Sequence, residues 1–161
     1  MRRILTFAIV TLAALAGGLV VAQAAKPNFA GQWTLVPDPS GQEQMGMMAG
    51  DMTIAQDDKT ITVTRSIPQM GDMKSVYKLD GSDSPNTFSF NGNDTTMTSK
   101  ATWDGNKLSI KTSFDMGGQS AQTTMVLSLD ATGNLNVDMT RPDFQGGGAD
   151  ITTKAVYKKK S

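Results

Sequence analysis

Arg65 and Arg141 are the only arginines after the first three residues of this 161-residue chain. Each continues an every-second-residue series, Ile61-Val63-Arg65 and Leu135-Val137-Met139-Arg141. In a strand, such a series points to one face. A pair of guanidinium groups facing the same interior would suit a carboxylate or phosphate, which arginine can hold with two parallel hydrogen bonds. The plainer reading is that each strand ends there and the arginine snorkels to water, as charged side chains usually do. Methionine supplies a second soft chemistry. Met45, Met47 and Met48 cluster within four residues, and thioethers suit Cu(I). The cluster has no histidine or cysteine beside it, so an adaptable apolar lining is the preferred reading. Asp80-Gly81-Ser82-Asp83 lacks the spacing and final glutamate of a calcium loop and reads as a turn.

Absences narrow the chemistry further. The chain has no histidine and no cysteine, and Glu43 is its one glutamate. Ser-His-Asp and Cys-His nucleophile systems are excluded, as are histidine and thiolate zinc sites. No catalytic residue, metal site or cofactor is expected, and the chain is read as a non-enzyme.

The elements that would position these residues are short strands. Met97-Ser99-Ala101-Trp103, Leu108-Ile110-Thr112-Phe114, Thr123-Met125-Leu127-Leu129, Leu135-Val137-Met139 and Ile151-Thr153-Ala155-Tyr157 each share a face, with Thr, Lys, Ser, Asn and Asp between them. This period of two, with a polar outer face, predicts antiparallel sheet buried on one side. Turn residues at Gln56-Asp57-Asp58, Asp80-Gly81, Asn91-Gly92, Asp104-Gly105-Asn106 and Gly133-Asn134 separate the strands. The expected strands are 31–36, 50–56, 59–66, 73–80, 86–91, 95–103, 107–115, 120–129, 134–140 and 149–158. So long a meander would leave exposed edges unless it closed. The expected fold is all-β, a single antiparallel up-and-down barrel of about 8–10 strands; an open sheet or two-sheet sandwich is the alternative.

Residues 1–24 read as a secretion signal: Arg2 and Arg3, an apolar run from Ile4 to Val21, then Ala22-Gln23-Ala24. The expected domain is therefore 25–161, exported to the periplasm or beyond the cell, with no membrane span after cleavage. It carries 13 basic and 15 acidic side chains, a net charge of −2. Such a balance gives no electrostatic reason to bind nucleic acid. A monomer is expected, and without disulfides its stability must come from packing and sheet closure.

The segment Asn28-Phe29-Ala30-Gly31-Gln32-Trp33 resembles the N-F-x-G-x-W opening of lipocalin and calycin barrels. It is similar in particular to small exported bacterial lipocalin-like proteins, and the likeness extends weakly to the hairpin Ala101 to Gly105. The resemblance implies that Gly31 and Trp33 are structural, with Trp33 at the closed end of the barrel. It also implies a basic cover near the last strand, for which Lys154 and Lys158 are the candidates.

In a meander, successive connections alternate between the two ends. One end receives the short Asp-led turns, and the other receives 37–50, 67–72, 91–94, 116–119 and 141–148, rich in glycine and methionine. Trp33, Trp103 and Tyr157, with Tyr77, Leu79, Leu108, Leu129 and Leu135, should pack the tight-turn end. Both tryptophans should be buried there. Small inward residues, Ser75, Ser99, Thr112, Ala121, Thr123 and Thr153, should leave room towards the other. The expected ligand is a small apolar or amphipathic molecule. It would meet Arg65 and Arg141, be lined by Ser99, Thr112, Thr123 and Thr153, and be roofed by Met45, Met47, Met48, Met70, Met116 and Phe144. The competing expectations are a structural or interaction module with a filled barrel, and a methionine-based Cu(I) binder.

Overall fold

A computed structural model describes residues 25–38, 50–67, 71–90, 93–116, 118–143 and 148–160. They form ten strands: β1 Gly31–Leu35, β2 Met52–Gln56, β3 Thr60–Ile67, β4 Gly71–Lys78, β5 Ser84–Phe90, β6 Asn93–Asp104, β7 Lys107–Met116, β8 Gln119–Leu129, β9 Leu135–Arg141 and β10 Ile151–Lys159. Every strand pairs antiparallel with its sequence neighbour except β4 with β5, and β1 also pairs with β10. The ladder therefore runs from β4 through β1, β10 and onwards to β5. The segment expected to start at 86 is a full strand from Ser84, so the alternation of ends holds.

The two ladder edges meet through side chains. The Asn86 carboxamide on β5 accepts from the Val76 backbone N–H at 2.7 Å and donates to the Val76 carbonyl at 3.1 Å. It thus takes the place of a peptide group of a neighbouring strand. Nearer the turn, Ser84 Oγ accepts from the Lys78 N–H at 2.9 Å. Pro85 stands in β5 at this seam, the edge setting that a strand proline tolerates. An up-and-down barrel closed in this way is the all-β, calycin-like architecture expected from the strand pattern.

Burial follows the period of two. Ile61 and Val63 on β3, Leu108 and Ile110 on β7, Met125 and Leu127 on β8, and Leu135 and Val137 on β9 are buried. Their cross-strand partners lie in the same rows, as in Ile110 with Met125 and Leu127 with Val137. The intervening Thr and Lys residues face outwards, which gives each strand β-branched side chains without a second buried face.

The tight-turn end is packed shut by residues 25–30. Phe29 is fully buried and stacks on Trp103 with ring centroids 5.9 Å apart. Its position is pinned by Gln56, whose Oε1 accepts from the Phe29 N–H at 2.9 Å and whose Nε2 donates to the Pro27 carbonyl at 3.2 Å. Trp33 is buried, and its indole N–H donates to the Phe29 carbonyl at 2.9 Å. The cation over Trp33 is Lys159, at 5.7 Å from the ring centroid. Neither Lys154 nor Lys158 fills that role, because both stand on the outward parity of β10 while Lys159 is the register partner of Trp33. Gly31 makes the cover possible: its φ is 151°, and a Cβ there would lie 2.7 Å from the Lys159 Cε. Trp103 departs from the expected full burial. It is half-buried at the rim of the floor, with Lys26 Nζ 5.4 Å from its centroid.

The turns at this end are held by aspartates. Asp57 Oδ1 accepts from the N–H groups of Lys59 and Thr60, and Asp80 accepts from Ser82. Asp130 accepts from the Thr132 hydroxyl at 2.7 Å, the Asn134 N–H at 2.9 Å and the Thr132 N–H at 2.8 Å. Hydrogen bonds from the Thr132 side chain and the Asn134 backbone hold the Asp130 carboxyl down at about 2, against an ordinary 3.8.

Two outcomes are expected. Replacing Trp33 by Ala should lower unfolding stability by about 3–5 kcal/mol through the cavity it leaves, measured by denaturant titration. A loss within about 0.5 kcal/mol, typical of surface sites, would show that Trp33 does not support the floor. The depressed Asp130 pKa means that its contribution is complete above its ordinary 3.8 and is lost as pH falls through about 2. The difference in Tm between the parent and Asp130→Ala should therefore be full at neutral pH and shrink over that acid range. A difference independent of pH would exclude the carboxylate as the cause.

Candidate binding cavity

Above the packed floor the inward residues shorten and a cavity of about 470 Å³ opens. The taper has a local cause. On β10 the inward series runs from Tyr157 through Ala155 to Thr153, and on β7 from Leu108 through Ile110 to Thr112. Each series trades volume for space away from the Asp-led turns, so the barrel fills at one end and hollows towards the other.

Arg65 marks the boundary between floor and cavity. It stands on β3 with Met52 and Met73 as cross-strand partners, and only 9% of it is exposed. Its Nη1 donates to the Tyr157 hydroxyl at 3.3 Å, and its Nη2 approaches the Met125 sulfur at 3.3 Å. No carboxylate pairs with Arg65 among the described residues, whose ion pairs are Lys100 with Asp83 and Lys160 with Asp51. The expectation of a solvated strand-end arginine is overturned here, because β3 continues two residues beyond Arg65 and keeps it inside. Arg141, at the end of β9, lines the same cavity and is half-buried.

Tyr77 and Tyr157 flank this guanidinium and line or underlie the cavity. Burial pushes both phenols above their ordinary 10.0; for Tyr77 a hydrogen bond with Ser75 and then the Arg65 charge oppose the rise, and for Tyr157 the Arg65 charge and its hydrogen bond do so.

The walls combine apolar and hydroxyl groups. Val63, Ile67, Phe88 and Phe114 line the cavity, together with four methionines, Met73, Met97, Met125 and Met139. Ser75, Ser99, Thr112, Thr123 and Thr153 supply hydroxyls to the same walls. Of the expected site residues, Arg65, Arg141, Ser99, Thr112, Thr123 and Thr153 are thus brought together. Ala121 is half-buried opposite Phe114 and does not line the cavity. Met45, Met47, Met48, Met70 and Phe144 lie outside the described residues, and Met116 closes β7 without a described side chain. The wall methionines are what sequence reasoning missed. Met97, Met125 and Met139 were legible as inward residues, but inward methionine looks like ordinary core until the strands' lengths show which rows lie above the floor.

Raised phenol pKa values have a measurable consequence. The stability contributed by the neutral, buried phenols is complete below pH 10 and is lost as pH rises through their folded-state values. Since these are the only tyrosines, ultraviolet titration of the folded protein should show no phenolate at its ordinary midpoint. A tyrosine that titrates at or below 10 would mean that Arg65 outweighs burial.

No protein-family model matches the sequence, and no curated protein matches it. Solved structures do resemble the barrel. A point mutant of the fluorescent protein UnaG aligns with a TM-score of 0.57 at 22% identity, covering 83% of this chain and 96% of that one. A second UnaG point mutant aligns at 0.54 with 21% identity, covering 81% and 95%. Secretory abundant heat soluble protein 4 from Ramazzottius varieornatus aligns at 0.57 with 19% identity, covering 86% of this chain and 98% of that one. At these identities the likeness establishes a shared calycin-type barrel fold.

Proposed function

We propose that this protein is an exported binding protein whose barrel holds a small amphipathic molecule, with an anionic head at Arg65 and an apolar body along the methionine and phenylalanine walls. One observation carries the reading. A guanidinium is buried at the base of a cavity with a phenol and a thioether as its hydrogen-bond acceptors. A charge removed from water is stabilised when a counter-charge reaches it. The cavity beside Arg65 is large enough for such a molecule, at about 470 Å³, within the usual range for small-ligand sites. Arg141, in the same cavity, is a second basic group for the head or for a distal polar atom.

The leader-like residues 1–24 support export, and the Asn28 to Trp33 opening supports kinship with small exported bacterial lipocalin-like proteins. No helix among the described residues is long and apolar enough to cross a membrane. A filled barrel would be packed from end to end, and the cavity supports the binding reading over that alternative. The Cu(I) alternative rests on Met45, Met47 and Met48, which lie outside the described residues, and the absence of histidine and cysteine from the chain weighs against it.

The test is binding of a fluorescent fatty acid and of the corresponding fatty alcohol. The acid should bind at micromolar levels, and Arg65→Gln should weaken it by about 1.5–3 kcal/mol, the range for a charge-assisted hydrogen bond. The alcohol should lose less. Equal losses for both probes, or no binding of either to the parent protein, would overturn the anionic-head assignment.

A further inference from the structure

The hydroxyls on the cavity wall are arranged in a row. Ser84 pairs with Ser99, Ser99 with Thr112, and Thr112 with Thr123, so one cross-strand row passes over β5, β6, β7 and β8. The adjoining row nearer the floor is apolar, running Ala101, Ile110, Met125, Met139. Two residues further from the floor stand Met97 and Phe114, again apolar and lining the cavity. A hydroxyl belt therefore crosses an otherwise apolar wall.

The belt is not consumed by the fold. Ser84 is occupied at the seam with Lys78. Ser99 and Thr112 share a single bond of 2.8 Å. Two hydroxyls bring two donors, one bond between them uses one, and the other remains for a further acceptor. The Thr123 hydroxyl makes no hydrogen bond among the described residues, and Thr123 lines the cavity. Threonine and valine have nearly the same shape and the same preference for strands. A wall meant only for hydrocarbon would be better served by valine, because an unpaired hydroxyl in an apolar setting is unfavourable.

The geometry also gives a spacing. Met125, which touches the Arg65 guanidinium, is two residues from Thr123 on the same face of β8. Two residues of a strand span about 7 Å. A molecule with its anion at Arg65 would thus pass the belt part-way along its body.

Resting on the anionic-head reading above, we propose that the ligand is an oxygenated amphiphile: an acid whose apolar body carries a second oxygen, as hydroxyl or carbonyl, that hydrogen-bonds to the Ser99, Thr112 and Thr123 belt. Hydroxyls donate and accept, so the belt serves either group.

The experiment is displacement of the bound fluorescent fatty acid from the full protein by palmitic acid and by palmitic acids bearing one mid-chain hydroxyl or keto group. The oxygenated acids should compete roughly tenfold better than palmitic acid, the effect of one or two neutral hydrogen bonds. Thr112→Val with Thr123→Val should weaken the oxygenated acids towards palmitic acid and so abolish that preference. Ser99→Ala, which only removes the hydroxyl, should reduce the preference in the same direction; circular dichroism confirms the folded barrel in each variant. If palmitic acid competes as well as its oxygenated forms, or if the variants weaken all the acids alike, the belt does not read the ligand. In those cases an Arg65-dependent palmitic acid response leaves the anionic-head reading standing. If no acid competes, both readings fall together.

Discussion

Everything inside this protein depends on how the two ladder edges are joined. Ten antiparallel strands form a continuous ladder from β4 round to β5, and the last join is made by the Asn86 carboxamide and the Ser84 hydroxyl. An edge left open would expose unpaired peptide groups and admit water to the interior. The carboxamide matches a peptide in having one carbonyl acceptor and N–H donors, so it continues the ladder pattern across strands that do not pair by backbone. Asn86 also lines the cavity. The closure and the container wall are therefore the same residue.

The opposite constraint acts at the floor. A barrel of this size has two ends, and only one is plugged by its own side chains in the described residues. Phe29, Trp33 and Tyr157 are buried there, and the Trp33 indole bonds to the carbonyl of Phe29 four residues earlier. That bond ties the entering chain to the first strand. Gly31, between them, leaves room for the Lys159 stem on the last strand, which pairs antiparallel beside the first. A short motif thus joins the chain's entry, first strand and last strand in one cluster, and the cavity can be hollow because this end is not.

How much of this was legible in the sequence follows from the physics of each signal. Strand parity is strict, since a one-residue slip turns every side chain over. It placed Arg65, Arg141, Ser99, Thr112, Thr123 and Thr153 inside, and it also separates Lys159 from Lys154 and Lys158 once β10 is registered against Trp33. What parity does not carry is height. Trp103 shares the inward parity of β6 yet is only half-buried, with Phe29, from outside the strands, stacked against it. Met97, Met125 and Met139 share their parity with the core, and only the sheet's register shows that they face the cavity. The Asn86 closure was invisible for another reason. A single asparagine in an edge strand has no periodic signature, and its function appears only when two sequence-distant edges are brought face to face.

The partners of Arg65 are what make the proposed anion-binding role of this buried cation physically reasonable. Had an aspartate or glutamate stood opposite, the two charges would have satisfied each other, and an incoming anion would have had to break a charge-assisted pair. A thioether is a weak acceptor, and a phenol is neutral while its pKa stays above 10. Each offers Arg65 enough to fix its direction without cancelling its charge. Burial raises the Tyr157 pKa above its ordinary 10.0, so at neutral pH the hydroxyl beside the guanidinium is neutral while a carboxylate ligand is ionised. The same desolvation that makes an unpaired arginine costly also strengthens its attraction for an anion, since screening by water is reduced there. On this reading, the apolar walls that shelter Arg65 do more than hold a hydrocarbon body. They keep the head site dry enough for one guanidinium to discriminate a carboxylate from an alcohol.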